Sequence, residues 1–136
     1  MEIDRSLVGR TSDPEVCEVE RGAIRRFAEA IGDTEPLHLR GEIAPPSFPT
    51  TFRGGLPGLE FDKKRILHAG EEYRHRRPLR AGDVLHVSRR VEDVFVKQGS
   101  LGAMTFIVLA AEGRDPFGEL VYESRQTIIY RQEAGA

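Results

Sequence analysis

Apolar residues recur at Ile24, Phe27, Ala28 and Ile31, the i, i+3, i+4, i+7 spacing of one helix face, while Arg25, Arg26 and Glu29 lie off that stripe. The pattern predicts a helix from about Glu20. Gly32 suits the left-handed position that closes helices, and Pro36 bars continuation. Asp33 to His38 is then expected to form the turn immediately after the helix. Upstream, EVCEV (Glu15 to Val19) reads as a short extended segment following the Asp13-Pro14 breaker.

From Arg65 the period changes from that of a helix to that of strands. Strands are expected near 66–77, 84–97, 101–113 and 119–131, separated by turns at RAGD (Arg80 to Asp83), KQGSLG (Lys97 to Gly102) and GRDPFGE (Gly113 to Glu119). The run LGAMTFIVLAA is apolar on both faces, which predicts a central strand covered on both sides. ELVYESRQTIIYR alternates, with Leu120, Tyr122, Ile128 and Tyr130 on one face. Short connections predict an antiparallel meander. Between helix and strands, APPSFPTTFRGGLPG holds four prolines and three glycines. That content permits at most a two-turn helix, opened by Pro45 or Pro46. A helix followed by a long antiparallel sheet is an α+β order, and a sheet wrapped around a helix, the hot-dog arrangement, fits it.

Composition narrows the picture further. The 136 residues suit a single domain spanning 1–136, with 39% hydrophobic and 31% charged residues as in soluble globular proteins. Twenty basic against 22 acidic residues give a net charge of -2, which argues against nucleic acid as a partner. Cys17 is the single cysteine, so no internal disulfide can form, and its neighbours Glu15 and Glu18 disfavour a reactive thiolate. No Cys/His spacing suggests a metal site. The N-terminal residues lack a signal-peptide pattern and no uncharged apolar run is long enough for a membrane span, so a cytoplasmic location is expected.

The candidate chemistry lies in IGDTEPLH. Asp33 and His38 flank Pro36, whose fixed φ stiffens the intervening turn. Histidine titrates near neutrality, and a carboxylate can orient it or act as a base itself, so the two could take a proton from water and return one to a neighbouring carbon. The plainer alternative is a local aspartate turn beside a surface histidine, and spacing alone leaves both open.

FAEAIGDTEPLHLRGEIA resembles the signature of the MaoC-like (R)-specific enoyl-CoA hydratase and hydroxyacyl dehydratase family: Gly-Asp-x-Asn-Pro-Leu/Ile-His, five residues, then Ala or Ser. Gly32, Asp33, Pro36, Leu37, His38 and Ala44 match it. APPSFPTTF and ILHAGEEYRHRRPLRAGDVL are similar to the N-terminal-type MaoC domains, so the likeness runs over roughly residues 5 to 132. The resemblance implies a hot-dog domain that pairs through its sheet edge, as a homodimer or with another hot-dog chain. It also implies that Asp33 and His38 activate a water, adding it to a trans-2-enoyl thioester or removing it from a (3R)-3-hydroxyacyl thioester. The substrate would be carried on CoA or acyl carrier protein, and no metal or redox cofactor is implied.

Two departures stand out. Glu35 replaces the family's Asn, and Pro46 occupies the place of a glycine whose N–H stabilises the thioester oxygen in catalytic members. Proline has no N–H, so the donor would have to be the amide of Ser47 or Phe48, or come from a partner chain.

RHRRPLR supplies Arg74, Arg76, Arg77 and Arg80. It reads either as a docking patch for CoA phosphates or an acidic carrier, with Arg76 and Arg77 as binding residues, or as an edge strand kept soluble by charge. His68 and His86 read as packed strand residues. Two rival functions remain: a non-catalytic acyl-binding subunit of a heteromeric dehydratase, and a hot-dog thioesterase. The thioesterase is disfavoured because no separate carboxylate sits on a plausible central helix.

Overall fold

The alternating segments pair into one five-stranded antiparallel sheet in the computed structural model, which describes residues 3–52, 55, 63–100 and 102–131. The elements are β1 (Glu15–Glu18), α1 (Arg21–Ala30), α2 (Pro36–Leu39), β2 (Ile66–His75), β3 (Val84–Gly99), β4 (Gly102–Arg114) and β5 (Leu120–Arg131), with 3-10 turns at Arg5–Leu7, Phe48–Thr51 and Lys63–Arg65. The sheet order is β1-β3-β4-β5-β2. No helix among the described residues is long and apolar enough to cross a membrane.

That order corrects the meander expectation. β3, β4 and β5 do follow one another, but β2 pairs with β5 at the far edge and not with β3. The connection Arg76–Asp83 allows this. It must cross three strand spacings, about 15 Å at roughly 4.8 Å each, and a chain of that length reaches about 27 Å when extended.

Register sets which side chains share the inner face. Val87, Gly113, Tyr122 and His75 form one row across the sheet; Arg89, Ala111, Ser124 and Tyr73 form the next; Val91, Leu109, Gln126 and Glu71 the third. Leu85, Val87, Val91, Val94, Ile107, Tyr122 and Ile128 on this face are buried. Over it lies the aromatic segment that the proline-rich stretch builds. Phe48 meets Phe27 of α1 and Phe52 edge-on, with ring centroids 5.7 Å apart in both pairs, and Phe52 tilts onto Tyr122 at 6.1 Å. Phe48 is fully buried between helix and sheet, a burial contributing about 1.5–3 kcal/mol.

Three local expectations need correction. β4 is central, but its outward-facing Phe106 and Val108 are only half-buried, because no described element covers the outer face. His68 is exposed on the edge strand, where its Nδ1 lies 2.9 Å from Gln126 Nε2; a strand with one free side packs its residues less. Pro36 does not merely stop α1. It opens α2 from the first-turn position, where its missing N–H costs nothing.

Candidate active site

The two residues flanking Pro36 are brought together by the way two short helices end and begin. α1 closes with Gly32 at φ +70°, and two hydrogen bonds cap it: Gly32 N to Glu29 O at 3.2 Å and Asp33 N to Ala28 O at 2.9 Å. This double cap fixes Asp33 at the residue after the left-handed glycine. Glu35 then caps α2, its carboxylate accepting from Leu37 N at 3.3 Å. His38 lies in the single turn of α2, so its ring swings back toward Asp33.

His38 Nδ1 and Asp33 Oδ2 are 2.7 Å apart, and both side chains are largely buried, at 18% and 16% exposure. Asp33 Oδ1 accepts from the Glu35 amide at 2.9 Å. That backbone hydrogen bond, and secondly the one from His38, hold the Asp33 carboxyl below the usual carboxylate range. A charged carboxylate accepts, so Nδ1 carries the hydrogen and Nε2 is the nitrogen left with a lone pair. Glu35, at the family's Asn position, is exposed and turned to its capping role.

Ala44 is buried and its amide donates to Leu79 O at 2.8 Å, tying the segment after α2 to the β2–β3 connection. The turn Pro45–Phe48 follows. The Phe48 amide is already committed, donating to Pro45 O at 2.9 Å, and the Phe48 ring is in the core. The Ser47 amide makes no hydrogen bond to the described residues. Of the two candidate donors, only Ser47 has an N–H to offer.

The arginine cluster divides. Arg77 Nη1 is 2.7 Å from Asp83 Oδ2 and 3.0 Å from Pro78 O, so this side chain pins the β2–β3 connection. Arg76 is exposed and in no ion pair among the described residues, with its amide bonded to Val121 O. Cys17 is half-buried, and burial pushes its thiol pKa up.

Two residues were not singled out by the sequence. His75 lies within the arginine run RHRRPLR, yet it points inward: its Nε2 is 2.7 Å from Pro46 O. Counting by twos from Tyr73 would have placed it on the inner face. Arg89, unremarkable in SRRVED, has a side chain only 14% exposed, with Glu15 at 4.0 Å and Phe52 O at 3.5 Å from its guanidinium. It borders a cavity of about 280 Å³ along the inner face, walled by Pro49, Phe52, Tyr73, Leu109 and Tyr122.

Residues 6–124 match the family described as FAS1-like, dehydratase domain region. A UPF0336 protein of Streptomyces griseus is 35% identical over 96% of this chain and 97% of its own. Among solved structures, the HadBC (3R-hydroxyacyl-ACP dehydratase) complex of Mycobacterium tuberculosis superposes with a TM-score of 0.73 at 20% identity, covering 95% of this chain and 99% of that one. A MaoC-like dehydratase of Rhodospirillum rubrum gives 0.63 at 24%, covering 93% and 94%. With the Gly32–His38 turn and the five-stranded sheet already in place, the match over residues 6–124 makes this chain a member of the FAS1-like, dehydratase domain region family, with the hot-dog fold of the MaoC-like dehydratases.

Proposed function

We propose that the chain is an (R)-specific hydratase/dehydratase that interconverts trans-2-enoyl and (3R)-3-hydroxyacyl thioesters, carried on CoA or acyl carrier protein. The observation that carries this reading is the Asp33–His38 pair: a carboxylate and an imidazole 2.7 Å apart on a capped turn, with Nε2 left as the base. In the hydration direction, His38 Nε2 takes a proton from water as the hydroxyl oxygen bonds to C3. The C2=C3 electron pair moves toward C2 and the thioester oxygen, and the imidazolium returns the proton to C2. Asp33 stays ionised, keeps the tautomer and stabilises the transient imidazolium. The developing charge on the thioester oxygen is met by the Ser47 N–H, since Pro46 has none and the Phe48 amide is occupied. The cavity beside Phe52 and Leu109 takes the acyl chain, and exposed Arg76 meets phosphates or acidic side chains of the carrier.

The second reading, an acyl-binding subunit that needs a catalytic hot-dog partner, is favoured by Pro46, which removes the usual donor from the turn. One experiment separates them. Purified chain is incubated with crotonyl-CoA and longer enoyl-CoAs, and loss of enoyl absorbance is followed together with the stereochemistry of the product. Formation of (3R)-hydroxyacyl-CoA by the chain alone supports the enzyme. No turnover at any chain length, restored on adding a hot-dog partner, would leave the subunit reading standing.

A further inference from the structure

An amide that serves as an oxyanion donor must be aimed, and the peptide unit of the Ser47 amide has a fixed neighbour. The Pro46 carbonyl and the Ser47 N–H belong to one planar, trans peptide unit, so they point in opposite directions and turn together. His75 Nε2 sits 2.7 Å from Pro46 O. A carbonyl oxygen can only accept, so Nε2 is the donor and Nδ1 carries the lone pair. Nδ1 is buried without a partner, which is tolerable for a bare nitrogen on a neutral ring. The ring itself is held between two others, stacked on Tyr122 at 6.0 Å and on Tyr73 at 6.4 Å, both on the same sheet face. Tyr122 is fully buried, so the platform beneath the imidazole is rigid.

We infer that His75 is a positioning residue for the reaction. By holding the Pro46 carbonyl against the sheet it locks the Pro46–Ser47 peptide plane and presents the Ser47 N–H on the opposite side, toward the thioester oxygen. This rests on the hydratase reading. It gives the proline turn a physical role as well. Losing the N–H at position 46 is offset when the next amide is fixed from outside the turn, and Pro46 itself removes one rotation from the unit being fixed. His75 touches no reacting atom in this account; it acts through Ser47.

The test uses the full chain with crotonyl-CoA and a set of three variants. His75→Phe keeps the ring stack and removes the donor, His75→Gln keeps a side-chain N–H within similar reach, and His75→Ala removes both. A donor turned away from the transition-state oxygen lowers kcat and kcat/KM together, by about 10- to 100-fold for a displaced group. His75→Phe should show that fall with KM within about twofold of the native value, and His75→Gln should recover most of it. A purely structural histidine would instead show losses that track melting temperature and no recovery in Gln beyond that in Phe. Nitrogen chemical shifts of the His75 ring in the native protein, assigned by comparison with the variants, should report protonated Nε2 and bare Nδ1 whatever the activity. Native-level kcat in a folded His75→Phe protein, or a ring protonated at Nδ1 and bare at Nε2, would overturn the role. Absence of hydration by the native chain would overturn the hydratase reading itself and this role with it, and that outcome is distinguishable from the other two.

Discussion

Each oxygen of Asp33 has a separate task. Oδ1 is tied to the Glu35 amide and keeps the carboxylate from rotating, while Oδ2 orients His38. Asp33→Asn keeps the shape but can present an N–H to Nδ1, which favours the wrong tautomer, and His38→Ala removes the base. Each should cost about 10²–10⁴-fold in kcat with the fold intact, the range for a positioned acid/base group. Near-native turnover in either soluble variant would remove the pair from the mechanism. The same carboxylate makes a stability prediction. Its folded pKa lies below the unfolded value of about 3.9, so its contribution is fully present above that value and disappears as pH falls through the lower folded one. The denaturation midpoint of Asp33→Asn should therefore sit below the native one at pH 6, with a narrower gap at pH 3. Equal midpoints at both pH values would mean the carboxylate adds nothing to folding. The arginines separate by environment: Arg76→Ser should raise KM for CoA substrates at low salt with kcat little changed, the mark of lost uniform binding. Arg77→Ser should cost stability instead, about 1 kcal/mol or less for a partly exposed ion pair with Asp83. A KM that rises for Arg77 and not for Arg76 would reverse these assignments.

Elements place these residues, and the clearest case is the packing of α2 on α1. Gly41, just past α2, has φ +77°, and a Cβ there would lie 2.5 Å from Arg21 O at the start of α1. Arg21 in turn donates from Nε to Arg40 O at 2.9 Å, drawing the two helices together. Gly41→Ala should thus destabilise by at least the 1–2 kcal/mol that a left-handed backbone costs an ordinary residue. It should also lower kcat by pushing α2, and with it His38, away from Asp33. A variant with unchanged melting temperature and rate would show that this contact is not what holds the pair. The contact was invisible in the sequence, since LRGEIA gives no hint that Arg21 lies over Gly41. By contrast, the Gly32 cap and Pro36 were legible, because both act through backbone geometry within a few residues. Strand existence was legible from alternation in the same way. Which strand neighbours which was not, since the Arg76–Asp83 connection is long enough to reach either edge. His75 shows where the limit fell: its inward position follows from alternation with Tyr73, but its partner Pro46 is 29 residues away and is set by tertiary packing.

At the scale of the molecule, the sheet ends in two unequal edges. β1 has only Glu15–Glu18, whereas β2 runs from Ile66 to His75 and pairs on one side alone, with β5. A long strand with one free side is a template for another strand unless something blunts it. Here Leu67 is 59% exposed and Gly70 lies at a register shift, while Glu71, Glu72 and Arg74 supply charge of both signs. Mixed charge disfavours indiscriminate stacking yet suits an antiparallel copy, in which acidic and basic positions of one strand face those of the other. The expected assembly is therefore a dimer through β2, either of two such chains or of one with a related hot-dog chain. Light scattering during size exclusion should give a mass of about twice the 15.2 kDa chain for the homodimer. Because β2 ends in His75, which holds the turn carrying Ser47, separating the chains should loosen the site as well. Specific activity should then be constant at high concentration and fall on dilution through the dissociation constant, with the same midpoint as the mass. A chain that scatters as a monomer and keeps full specific activity at every dilution would show that the site is complete without its neighbour.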